Sequence, residues 1–150
     1  MQKKIKIAVI GAGWWATEFH LPYLASLDEV ELYSICRFGK KELDLVKNKF
    51  NFKKSSENFE EALSYKELDG AIISTPHTAH YVCAKEALNN QLHVIIEKPM
   101  TTSTKEAQDL FALSKKNQKQ IIIPYGYNFT HFMDKAREFI ANDIIGSENI

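Results

Sequence analysis

The chain reads as a doubly wound α/β domain, a parallel sheet with helices on both faces in three layers. Three observations predict it. Short Ile/Val-rich runs recur along the chain, stretches of helical period separate them, and a glycine-rich turn follows the first run directly.

The elements follow in order. Ile5 to Ile10, Glu31 to Cys36, Ala71 to Ser74, Leu92 to Ile96 and Gln120 to Ile123 are expected strands. Three of them are continuous apolar runs, the pattern of strands covered on both faces. Pro22 should bend or end the first helix, because it lacks an N–H and clashes with the preceding turn. Leu43, Val46 and Phe50 share one helical face, and the polar stretch Lys53 to Glu57 holds a brief edge strand. Asn58 caps a short helix running through Tyr65. Val82, Cys83 and Ala87 mark the next helix. Ala107, Leu110, Phe111 and Ser114 mark another, opened by Ser103 and Glu106 at capping-box spacing. Phe132, Ala136, Phe139 and Ile140 give a final helix one apolar face, and Gly146 can close the segment after it. Strand–helix alternation at this rhythm implies right-handed crossovers, with ligands at the carboxyl ends of the strands.

Composition narrows the class. The 150 residues carry nineteen basic and nineteen acidic side chains, and 45% are hydrophobic. A chain of that length buries enough surface for one domain without a disulfide or metal staple. The balanced charge speaks against a nucleic-acid partner, which would need a basic excess. No apolar stretch approaches the ~20 residues that cross a bilayer. Lys3, Lys4 and the apolar run after them imitate a secretory start, but the run breaks at once into Gly11, Gly13, Glu18 and His20. Cys36 and Cys83 have neither C-x-x-C nor zinc spacing, so a reduced, cytoplasmic protein is expected.

The strongest local signal is Gly11-Ala12-Gly13-Trp14-Trp15-Ala16, the dinucleotide fingerprint G-x-G-x-x-G/A between a strand and a helix. Gly11 permits the tight turn, Gly13 lets a pyrophosphate approach the backbone, and Ala16 allows close helix–strand packing. The helix start offers amide donors to phosphate. Trp14 and Trp15 line a cofactor or substrate entrance, or one of them packs beneath the turn.

An NAD-selective site would place a carboxylate about twenty residues past the glycines, for the adenosine ribose. This chain has Cys36-Arg37-Phe38-Gly39 instead. A guanidinium grips a 2′-phosphate where a carboxylate would repel it. NADP is therefore expected, with NAD the alternative.

The later strand ends carry Thr75-Pro76-His77 with His80 close behind, then Glu97-Lys98-Pro99, then Gly126-Tyr127-Asn128. With His93-Val94-Ile95-Ile96-Glu97-Lys98-Pro99 and the fingerprint, the chain resembles the Gfo/Idh/MocA oxidoreductases from about Ile5 to Gly146. The resemblance implies a Rossmann domain over residues 1–128. Residues 129–150 would be a connecting helix and the truncated start of a second domain, bearing the substrate site and a homo-oligomer interface. It implies hydride transfer between a nicotinamide cofactor and a sugar, inositol, nucleotide sugar or related compound. Lys98 matches the lysine between nicotinamide and substrate, and Glu97 a residue near the nicotinamide ribose. Thr75, Pro76 and His77 match the loop beside the cofactor, His80 a helix-start residue near it, and Asn128 the end of the sixth strand. Two positions depart from the pattern. Thr130 stands where many members have arginine, and His77 where many have asparagine.

The residue types support that reading on their own. Hydride transfer at a carbinol needs a partner for the hydroxyl proton, and an ammonium at a strand end can supply it. Pro99 keeps Lys98 extended. A metal site is not expected at His77, His80 and Cys83, since six residues of helix rotate about 600° and leave Cys83 pointing away. His93 reads as a core histidine, and His20 and His131 carry no assigned role. The last residues, Ser147 to Ile150, read as the threshold of a strand and the chain as a fragment. Two other classes compete: a stand-alone NADP(H) sensor, and a methyltransferase. The latter has no use for Glu97-Lys98-Pro99.

Overall fold

The computed structural model describes residues 3–146 of the chain. Six parallel strands form one sheet: β1 (Ile5–Ile10), β2 (Val30–Cys36), β3 (Lys54–Ser56), β4 (Gly70–Ile73), β5 (His93–Ile96) and β6 (Ile121–Ile122). Their spatial order is β3-β2-β1-β4-β5-β6. Chain order reverses between β1 and β4, so this is where a doubly wound sheet opens its ligand crevice.

The helices divide between the two faces. On one lie α1 (Leu21–Ala25) and α2 (Lys40–Lys49), burying Leu21, Leu43 and Val46 against Val9, Leu32, Ile35 and Ile72. On the other lie α3 (Phe59–Leu63), α4 (His80–Asn89) and α5 (Thr104–Asn117). They bury Leu63, Ala84, Leu88 and Leu110 against Ala8, Ile10, Ile73 and Ile96. Alternate residues of β1 serve the two cores, Val9 one and Ile10 the other, as a strand pleat requires.

β2 breaks that alternation once. Ile7 pairs with Leu32 but Ala8 pairs with Ser34, so Tyr33 is an extra residue and the pairing carries a bulge.

Within the described residues the expected elements are present, with local differences. The helix after the fingerprint is wound as a π-turn over Ala16–His20 before α1 begins at Leu21. Pro22 therefore lies inside a helical run continuous from Trp14 to Ala25, directly after the π-turn, and the helix is rewound before the proline rather than ended by it. Asn58 caps α3 as expected, its Oδ1 accepting the Glu61 N–H at 2.8 Å. Ser103 stands at the N-cap of α5 but makes no side-chain cap bond. The opening of that helix is exposed, so water satisfies its amides. Val82 and Phe111 lie on the exposed sides of their helices rather than in the core. Each is one residue from a buried neighbour, and one residue is a 100° turn.

The final helix α6 (His131–Ala141) buries none of its residues, and Phe132 and Ile140 are exposed. The expected strand start at Ser147 to Ile150 lies outside the described residues.

Candidate functional site

Gly11 sits where β1, β2 and β4 end together. Its N–H and that of Ala12 both donate to the Cys36 carbonyl, at 2.9 and 3.2 Å. Its φ is +87°, and a Cβ there would stand 2.6 Å from the Ser74 carbonyl and the Thr75 nitrogen. Only glycine fits. Gly13 differs: its φ is ordinary and a Cβ would meet nothing within 4 Å. The turn thus needs Gly11 for the protein itself and leaves open space at Gly13. Ala16 is fully buried at the helix–sheet contact.

Two clefts flank this turn and share Ser74 and Thr75. The larger, about 470 Å³, is lined by Gly11, Cys36, Arg37, Phe38, Glu57, Thr75, Pro76, Val82 and others. Arg37 is half-buried there, its guanidinium donating to the Ala12 carbonyl at 3.1 Å and to that of Phe38 at 3.3 Å. These bonds hold the cation over the fingerprint turn. Glu57 Oε1 accepts the Gly39 N–H at 2.7 Å and closes the far wall. Cys36 and Cys83 line the floor. Burial chiefly, then nearby glutamates for Cys36 and the neighbouring Cys36 for Cys83, push their thiols up to about 11 and about 12.

The smaller cleft, about 230 Å³, is lined by Trp15, Ser74, Thr75, His77, His80, Glu97 and Lys98. Glu97 is 8% exposed. Its Oε1 accepts the Trp15 indole N–H at 2.9 Å and lies 2.7 Å from His20 Nε2, while Oε2 takes the Lys98 backbone N–H at 3.3 Å. Lys98 Nζ stands over the Trp15 ring, 5.6 Å from its centre. His80 is fully buried, with its ring nitrogens 2.7 Å from the Pro99 carbonyl and 2.9 Å from that of Thr75. It ties the loops after β4 and β5 together. Neither tryptophan packs beneath the turn: Trp14 is 69% exposed and joins Trp15 and Phe19 in an aromatic cluster.

The residues present fit a dinucleotide. The open space at Gly13 and the unsatisfied amides of the helix start suit a pyrophosphate. Thr75 Oγ1 is buried without a hydrogen-bond partner where the clefts meet. Thus Gly11, Cys36, Arg37, Thr75 and Pro76 gather on one side, and Trp15, Thr75, His77, His80, Glu97 and Lys98 on the other. Asn128 lies on an exposed turn and lines neither cleft. Among the described residues no group of three or more His, Cys, Asp and Glu side chains could hold a metal. No helix among them is long and apolar enough to cross a membrane.

His20 and Glu57 were not expected at the site. Glu57 directly follows the edge strand β3, so the rule that ligands gather past strand ends would have found it. His20 was hidden by the π-turn. At α-helical pitch, five residues separate Trp15 from His20 by about 140° around the axis. A π-turn closes over that same five-residue interval.

A parallel sheet with reversed strand order, a fingerprint turn and paired clefts at its carboxyl edge define a Rossmann-type dinucleotide-binding domain. Residues 5–125 match the Gfo/Idh/MocA profile, described as an oxidoreductase family with an NAD-binding Rossmann fold, and the chain belongs to that family. Glucose-6-phosphate 3-dehydrogenase of Bacillus subtilis is 27% identical over 142 residues, 95% of this chain and 39% of that protein. Two solved structures, each 21% identical, share the fold. Scyllo-inositol dehydrogenase from Lactobacillus casei, with NAD(H) and scyllo-inositol bound, has a TM-score of 0.85 over 97% of this chain and 43% of its own. A variant of a 3-ketoreductase from Actinomadura kijaniata, with TDP-benzene and NADP, has a TM-score of 0.88 over 97% and 44%. The chain spans about four tenths of the length of the relatives it matches along nearly its whole length.

Proposed function

We propose that residues 1–128 are the cofactor domain of an oxidoreductase that moves hydride between NADP and a sugar, inositol or nucleotide-sugar type of hydroxy or keto compound. The observation that carries this reading is the pair of clefts meeting at Thr75, with a guanidinium at one end and an ammonium at the other. The nicotinamide ring, when bound, supplies the hydride acceptor or donor. Everything else falls to the protein. Arg37 holds the adenosine end by its charge on a 2′-phosphate. The turn at Gly11 to Gly13 holds the pyrophosphate, and Thr75 Oγ1 offers its unused hydrogen-bonding capacity between the clefts. Lys98 Nζ hydrogen-bonds the substrate oxygen, giving up an ammonium proton to it when a keto group is reduced and, as the neutral amine, taking the hydroxyl proton when an alcohol is oxidised. The substrate class is supported by the sugar and inositol named for the relatives.

The test is a titration of NADPH and NADH against the wild-type chain and Arg37→Ala. A charge-assisted hydrogen-bond pair is worth about 1.5–3 kcal/mol, so the variant should lose roughly ten- to hundred-fold in NADPH affinity and keep its affinity for NADH. Unchanged NADPH binding would sink the preference for NADP. No binding of either nucleotide by the wild type would sink the reading itself.

A further inference from the structure

His20 has no role in the proposed function, yet it makes one of the site's shortest contacts, 2.7 Å to Glu97. A carboxylate only accepts, so His20 donates from Nε2 to Glu97 Oε1 at 2.7 Å. That oxygen is also held by Trp15 Nε1 at 2.9 Å, which fixes the indole plane from its edge. The face of that indole lies under Lys98 Nζ. A chain of contacts therefore runs from imidazole to carboxylate to indole to ammonium, with His20 behind the wall that Trp15, Glu97 and Lys98 give the smaller cleft.

The backbone is wound to make it possible. Leu21 donates its N–H to the Ala16 carbonyl, a five-residue closure. Such turns are rare and are kept at functional sites. Wound as an α-helix, the segment would carry His20 about 140° away from the carboxylate that Trp15 reaches.

We propose that His20 is a positioning residue for Lys98. It pins Glu97 Oε1 beside the Trp15 N–H, and the pinned indole holds the Lys98 ammonium at the cleft by cation–π attraction. This rests on the proposed role of Lys98, but its geometry is measurable without cofactor. Reductive methylation with ¹³C-formaldehyde keeps the charge of lysines and gives each a methyl resonance. The Lys98 signal is identified by its loss in Lys98→Arg, and the Trp15 indole N–H signal by elimination in Trp14→Phe.

In the wild-type chain, ring current from Trp15 should displace the Lys98 methyl signal from those of solvated lysines. His20→Leu should return it toward them and shift the Trp15 indole N–H. His20→Gln keeps an N–H donor and should restore both signals. The proposal is overturned if His20→Leu leaves both signals in place, or if His20→Gln, folded by its thermal transition, fails to restore either. Should NADPH fail to bind while the signals behave as expected, the proposed function falls and this geometry stands. Should NADPH bind normally while the signals ignore His20, only the present inference falls.

Discussion

Replacing each fingerprint glycine by alanine separates what the turn does for the fold from what it does for the ligand. Gly11→Ala places a methyl 2.6 Å from the Ser74 carbonyl and the Thr75 nitrogen, against an ordinary contact of at least 3.4 Å. Backbone, not a flexible side chain, must yield by about 0.8 Å, the difference between those two distances. The loop after β4 is stapled by the buried His80, so it yields poorly. The positive φ adds about 1–3 kcal/mol of strain, and the overpacking another ~1–3 kcal/mol. Taking about 3 kcal/mol as the sum's lower part, the melting temperature of a domain this size should fall by roughly 6–12 °C. Gly13→Ala should behave oppositely. Its Cβ meets nothing and its φ is ordinary, so stability should hold or rise by about 0.4–1 kcal/mol through the unfolded chain. That same methyl stands where a pyrophosphate would lie, and NADPH affinity should fall at least about tenfold, some 1.4 kcal/mol. Circular dichroism gives the melting curves. Energy transfer from the chain's two tryptophans to the reduced nicotinamide gives the affinities. A Gly11→Ala protein melting with the wild type would refute the steric reasoning. A Gly13→Ala protein binding NADPH normally would refute the placement of the pyrophosphate.

Two further outcomes test the electrostatics. With thiols pushed up to about 11 and about 12 by burial, Cys36 should react with iodoacetamide at pH 8 roughly a hundred-fold, and Cys83 roughly a thousand-fold, more slowly than a free thiol, and both normally in urea; equal rates in the two conditions would contradict the burial. The Lys6 backbone N–H, donating at 2.8 Å, and then the Lys3 ammonium lower the Asp69 carboxyl below its ordinary range. Its contribution is present above that range and lost as pH falls through the lowered value. Asp69→Asn should therefore cost about 1–2 kcal/mol at pH 7, and the two melting temperatures should converge toward pH 2. A gap that stays constant with pH would show that the charge is irrelevant.

The strands were legible because their side chains face helices on both sides and leave runs such as Ile5 to Ile10. Helix existence was legible too, from apolar positions spaced at 3.6 residues. What a helix faced was less so. Val82 and Phe111 are apolar by type, yet a single 100° step decides between core and solvent, and composition carries no such phase. Glycine roles were readable because φ and close approach impose one residue type. The contact between His20 and Glu97 was not, since it depends on a winding of the backbone that no side chain announces. Asn128 was placed by its position after the last strand, but β6 is only Ile121–Ile122 and the chain turns away after Pro124.

The extra residue in β2 acts on everything that follows it. Before Tyr33, even-numbered residues such as Leu32 face the core under α2; after Ser34, odd-numbered ones such as Ile35 do. The bulge is a change of parity, made three residues before the strand ends at Cys36. Arg37 inherits that parity. Deleting Tyr33 would remove the extra residue and restore simple alternation, leaving Ile35 and Cys36 paired with Val9 and Ile10 and on their present faces; a deletion in a strand that carries no bulge would instead reverse every side chain after it. The bulge is thus a spare residue in the count of β2, one that the strand can lose without turning Arg37 from the larger cleft.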